Sequence, residues 1–189
     1  MILDNALLFT GTSNGATAGI TASANTDSLA QAAGTYTLSN VIDIGLNGLP
    51  TSAGGGGARD LGIGDDPALK LLILVTTTAT SGGAATVQFE LDGAPDNGSG
   101  VAGAYSVMWQ SQAIGYATLL QGTYVANIDL PRPPPGVNIP RFYRVRFIVA
   151  TATVTAGAVE AAIVIDRFDN ITSSVGALSG YPSGVTVAN

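Results

Sequence analysis

Between Thr86 and Asp92 apolar and polar side chains alternate without a break: Val87, Phe89 and Leu91 fall on one side, Gln88, Glu90 and Asp92 on the other. A period of two belongs to a strand with one face on a core and the other in water, and an amphipathic helix cannot produce it. The alternation returns over 141–154 and 158–166. In the first, Tyr143, Val145, Phe147 and Val149 oppose Phe142, Arg144, Arg146 and Ile148. In the second, Val159, Ala161, Ile163 and Ile165 oppose Glu160, Ala162, Val164 and Asp166. With Thr155-Ala156-Gly157 as a short turn, the two segments read as an antiparallel hairpin. A register that sets Arg146 against Asp166 is electrostatically better than one that sets it against Arg167.

The rest of the chain reads the same way. Leu69 to Thr78 is short, β-rich and almost continuously apolar, as expected of a strand buried on both faces. Asn40-Val41-Ile42-Asp43-Ile44 places Ile42 and Ile44 on one side. Tyr105, Val107 and Trp109 share a strand face, and Tyr124 to Leu130 forms another strand. Pro95-Asp96-Asn97-Gly98 is a turn, because Asn-Gly accepts a positive φ cheaply. Pro131-Arg132-Pro133-Pro134-Pro135-Gly136 cannot donate ladder hydrogen bonds and reads as a stiff surface loop. Gly54 to Gly57 marks a flexible loop within 45–58. The 28 Ala, 25 Gly and 20 Thr among 189 residues, with only 11% charged, favour strands joined by glycine turns. Seven to nine strands predict an all-β fold, a jelly roll or β-sandwich of about eight antiparallel strands. Residues 1–10 are expected to be an N-terminal arm or first strand, 11–166 the single domain, and 167–189 a tail.

Two absences narrow the chemistry. The chain has no His and no Cys. That removes a His general base, a thiolate nucleophile, a disulfide, and zinc or iron held by those ligands. Net charge is −6, and seven cations cannot build the basic patch that nucleic acid needs. Leu71 to Val75, the longest aliphatic run, is far short of a membrane span. Met1-Ile2-Leu3-Asp4 lacks the positive start of a signal peptide, so a soluble protein made in the cytoplasm is expected. Asp60, Asp65 and Asp66 are a candidate cation site, although their spacing is not that of an EF-hand and a solvated acidic turn explains them as well. Asp92, Asp96 and Asn97 admit the same two readings. Gly62-Ile63-Gly64 precedes a strand instead of following one, so it is not a dinucleotide fingerprint. Arg141, Arg144 and Arg146, interleaved with Phe142 and Tyr143, superficially suggest a nucleic-acid platform; pairing with Asp and Glu suits them better. Tyr105, Trp109, Tyr116 and Tyr124 are candidates for a sugar platform or for core and interface packing.

Several short stretches, in order, resemble a family of jelly-roll capsid cement (decoration) proteins of tailed bacteriophages. They are Met1-Ile2-Leu3-Asp4, Asn40-Val41-Ile42-Asp43-Ile44-Gly45, Arg59-Asp60-Leu61-Gly62-Ile63-Gly64 and Leu71-Leu72-Ile73-Leu74-Val75. Leu130-Pro131, Arg141-Phe142-Tyr143-Arg144-Val145 and Thr155-Ala156-Gly157 follow. The Gly54–Gly57 insert and the proline loop depart from the pattern. The resemblance implies a structural protein with no catalytic residue, cofactor or metal. It would sit on the outer surface of a phage head, bind the major capsid protein, and associate with itself as a homodimer or homotrimer. Expected contacts are Ile2, Leu3, Leu7, Leu8 and Phe9 of the arm, with Arg59, Asp60, Arg132 and Arg141. Removing residues 2–9 would then weaken attachment and leave the domain folded. A carbohydrate- or receptor-binding sandwich of a phage fibre is the alternative, and a small carboxylate hydrolase a third reading.

Overall fold

The structure, a computed structural model, describes residues 7–12, 20–23, 25–44, 69–131 and 140–165. Ten strands run through them: β1 (Asp27–Ser28), β2 (Gly34–Thr37), β3 (Ile42–Asp43), β4 (Leu69–Ser81), β5 (Thr86–Ala94), β6 (Ser106–Gln110), β7 (Ile114–Gly115), β8 (Tyr124–Asp129), β9 (Phe142–Ala150) and β10 (Val154–Ile165). One sheet has the order β1-β10-β4-β8 and the other β2-β9-β5-β6, with β3 beside β9 and β7 beside β5. All pairings are antiparallel. The pairs β1–β10, β2–β9, β4–β8 and β5–β6 nest inside one another and alternate between sheets, which is the wrapped double hairpin of a jelly roll.

The inner faces interlock as the alternation predicts. Val87, Phe89 and Leu91 of β5 join Tyr143, Val145, Phe147 and Val149 of β9 in one cluster with Leu71, Ile73 and Val75 of β4 and Val159, Ala161 and Ile163 of β10. Phe147 lies between Tyr36, stacked at 5.4 Å, and Phe89 at 6.2 Å. Ile42 is buried in this cluster and Ile44 packs against it. β4 is also apolar on its other side, where Leu72 meets Leu8, Ala162 and Val164 in a second small cluster. That explains a strand read as buried on both faces.

Two expectations need correcting. β9 and β10 are not a hairpin: they lie in opposite sheets, and β10 pairs with β1 and β4. The chain crosses between sheets at Thr151, which takes a φ of 72°, and Thr155-Ala156-Gly157 lies inside β10. Alternation marks each strand but is identical for a hairpin and for a crossover between sheets. The register of Arg146 against Asp166 is therefore replaced by Arg146 opposite Glu90.

The second correction concerns the N-terminal segment. Leu8 bridges Ala162, and Phe9 is fully buried, donating its N–H to Ala161 O at 2.8 Å and accepting from Asn40 N at 2.9 Å. A polar knot follows. The buried Asp27 carboxylate accepts from Gly11 N (3.0 Å), Ser39 N (2.6 Å) and Ser39 Oγ (2.7 Å). Thr10 Oγ1 donates to Asn25 O at 2.7 Å and accepts from Ala161 N at 3.1 Å. Residues 8–11 are thus part of the domain, and deleting through residue 9 removes core instead of a detachable arm.

Candidate functional site

The outer face of the β2-β9-β5-β6 sheet carries the densest chemistry among the described residues. Glu90 and Asp92 stand two apart on β5, and Arg146 and Arg144 stand two apart on β9, directly opposite. Equal spacing on neighbouring strands puts all four side chains on one face, within reach across the ladder. Arg146 Nη2 donates to Glu90 Oε2 at 2.7 Å and to Asp92 Oδ1 at 3.3 Å, and its Nε lies 2.6 Å from Asp92 Oδ2. Arg144 Nε donates to the same Asp92 oxygen at 2.9 Å. Its guanidinium lies 3.7 Å from the centre of the Tyr105 ring, a close cation–π contact. Burial, opposed by Arg144, pushes the Tyr105 hydroxyl above its ordinary range.

These acids do not face water, as strict alternation suggested. Asp92 is 1% exposed and Glu90 7%. Arginine stems lie over them, and a buried carboxylate is tolerable when its charge is matched by well-placed donors.

Arg141, just before β9, makes a second cluster. Its Nε and Nη2 donate to the two oxygens of Asp43 at 2.7 and 2.9 Å, a bidentate fork, and its Nη1 donates to Asp96. The other Asp96 oxygen accepts from Gly98 N at 2.8 Å and Gly100 N at 2.9 Å, in a turn where both glycines hold positive φ. Burial pushes the Asp96 carboxyl up, but these backbone donors and Arg141 outweigh it and hold it below its ordinary value. The Asp43 hydrogen bonds chiefly keep Arg141 protonated far above any working pH. One guanidinium thus ties together β3, the 95–102 turn and the start of β9.

Every cation among the described residues is engaged, since Lys70 pairs with Asp129 at 3.7 Å. This matches the reading of the arginines as partners for Asp and Glu. Asp92 and Asp96, weighed above as cation ligands, are held by arginine, and no group of three acids converges among the described residues. Of the expected contacts, Arg141 is 17% exposed and engaged internally, Leu7 packs on the core, and Leu8 and Phe9 are buried. Ile2, Leu3, Arg59, Asp60, Asp65, Asp66 and Arg132 lie outside the described residues. The aromatics do not share a platform: Trp109 and Tyr116 pack against the core, Tyr105 covers Arg144, and Tyr124 is exposed on β8.

Two features lie elsewhere. On the outer face of the other sheet, Glu160 Oε1 and Thr76 Oγ1 are buried without a partner, and burial raises the Glu160 carboxyl. Thr21, Ser23, Thr26, Ser28, Thr77 and Thr155 line an open groove of about 380 Å³ that has neither charge nor aromatic ring. The cross-strand acids and arginines were visible in the sequence as two pairs at matching spacing. Asp43 and Asp96 as partners of Arg141 were not, because they lie 98 and 45 residues from it.

The family model Bbp16 matches residues 21–163, which is 143 of the 189 residues and spans the jelly roll from β1 through β10 as far as Ile163. No curated protein matches the chain.

Proposed function

Because the chain belongs to the Bbp16 family, a group of bacteriophage-associated proteins, we propose that it is a structural cement protein. It binds the outer surface of a phage head and ties adjacent major capsid subunits together. The observation that carries the reading is the internally paired charged face. Glu90, Asp92, Asp43 and Asp96 are all matched by Arg141, Arg144 and Arg146. Such a face is rigid and keeps its hydrogen-bonding groups in fixed positions, as a clamp between large subunits requires. It is poorly suited to catalysis, because its carboxylate oxygens are already taken up by arginine donors.

An acidic chain also suits the outside of a shell, away from packaged DNA. Attachment proceeds by multivalent clamping: once one subunit is gripped, contact with the next is effectively intramolecular, and modest contacts sum to stable decoration. The test is to sediment purified protein with expanded, undecorated shells over a titration. Saturation at a fixed ratio to the major capsid protein supports the reading. Binding that rises without limit, or none, refutes it.

A further inference from the structure

Asparagine is followed by glycine three times in the chain, at Asn14-Gly15, Asn47-Gly48 and Asn97-Gly98. The first two pairs lie outside the described residues. The third sits in the turn between β5 and β6. In such a pair the backbone nitrogen of the glycine can reach the asparagine carboxamide, because glycine has no Cβ to obstruct the approach. The other described asparagines, Asn25, Asn40 and Asn127, precede Thr26, Val41 and Ile128, whose branched side chains do obstruct it.

Three observations go beyond the dipeptide. Gly98 N donates to Asp96 Oδ1 at 2.8 Å, so a carboxylate already holds the proton that an attacking nitrogen must lose. Ser99 N donates to Asn97 Oδ1 at 2.9 Å. This Asx turn folds the carboxamide back along the chain and polarises its C=O bond, and the same N–H stabilises the negative charge that the oxygen gains on attack. Space is present as well. Gly98 has a φ of 92°, no heavy atom lies within 4 Å of where its Cβ would be, and Asn97, Gly98 and Ser99 are exposed to water. The hydrogen bond to Asp96 lies in the peptide plane and leaves the nitrogen free, because attack uses the orbital normal to that plane.

We infer that this turn is a self-modifying site, in which Asn97 is converted to aspartate or isoaspartate with Asp96 as general base. Gly98 N bonds to Asn97 Cγ while its proton passes to Asp96 Oδ1. The Cγ–Nδ2 bond then breaks, and Nδ2 leaves as ammonia with the proton that Asp96 returns. A cyclic imide remains, and one water opens it. Cleavage of the new bond at Cγ gives aspartate, and cleavage of the original peptide bond gives isoaspartate. Arg141 Nη1 occupies the other Asp96 oxygen and shares its guanidinium with Asp43, which keeps Asp96 ionised and in place. Its power as a base comes from position more than from basicity. The product takes the net charge one unit beyond −6. Isoaspartate also adds a methylene to the backbone of a turn closed by the Asn97 N to Val101 O bond and the Asp96–Ala102 bridge.

The test is peptide mapping of the full chain aged at neutral pH, with isoaspartate and aspartate at position 97 resolved by chromatography. Asn97 should convert faster in the folded chain than in the same chain unfolded in guanidinium chloride. Asp96→Asn keeps an acceptor for Gly98 N but cannot take its proton. It should slow conversion at 97 by about tenfold, below the ~10²–10⁴ of a base matched to the working pH. Positions 14 and 47 serve as internal clocks, so the change is read as a ratio to theirs. Slower conversion in the folded chain than in the unfolded one overturns the inference. So does an Asp96→Asn rate equal to or above that of the parent, the sign expected if the hydrogen bond merely restrains the turn. Circular dichroism identifies a variant that fails to fold, and the comparison of folded with unfolded parent then decides alone.

Discussion

Replacing Arg146 by Met keeps most of the side-chain stem and removes the charge that Glu90 and Asp92 share. Breaking one side of a fully buried ion pair costs ~3–5 kcal/mol, because the remaining charge is left without compensation. Two facts reduce that here. The Arg146 side chain is 24% exposed, and Asp92 keeps its contact with Arg144. Glu90 loses its ion pair with Arg146 and is only 7% exposed, so water compensates it poorly. The expected loss is about 2–3 kcal/mol. For a chain of this length each kcal/mol lowers Tm by ~2–4 °C, so the shift is roughly 4–12 °C. Thermal unfolding followed by circular dichroism reads it directly. Adding Glu90→Gln to Arg146→Met should recover part of the loss, since the cost comes from the uncompensated charge. A single variant within about 1 °C of the parent, or a double variant worse than the single one, would refute the reasoning.

Further outcomes follow from the same structure. Phe9→Ala should cost ~3–5 kcal/mol in a denaturant titration, because the ring is fully buried; a small effect would restore the detachable arm. Tyr143→Phe removes a buried hydroxyl that has no partner, so stability near neutral pH should hold or rise by up to ~1 kcal/mol. Burial pushes the Tyr143 hydroxyl from 10.0 up to about 12, so the folded state holds that proton more tightly than the unfolded chain. The parent should lose stability as pH rises from 10 through 12, and the Phe variant should lose less. Asp96 is held below its ordinary 3.8, so its contribution is present above that pH and lost as pH falls through the depressed value. Asp96→Asn should flatten that acid-side decline in pH-dependent melting curves.

The strands were legible wherever a periodic pattern met a core. Val87, Phe89 and Leu91 point inward as their spacing requires, and Leu72 explains why β4 lacks a polar face. The partners of β9 and β10 were not legible, because alternation carries no information about which sheet receives a strand. The burial of Glu90 and Asp92 was half legible. Polar positions on a strand look alike whether they meet water or arginine, but the matching spacing of Arg144 and Arg146 was there to be read. The knot of Thr10, Gly11, Asp27 and Ser39 had no periodic signal at all, since it joins four irregular segments through single hydrogen bonds.

The most direct test of the cement reading is cryo-electron microscopy of expanded shells incubated with the purified protein at saturation. The account predicts ordered density for the jelly roll on the outer surface, at equivalent positions throughout the icosahedral lattice and bridging neighbouring capsid subunits. Bare shells, or density confined to the tail, would contradict it.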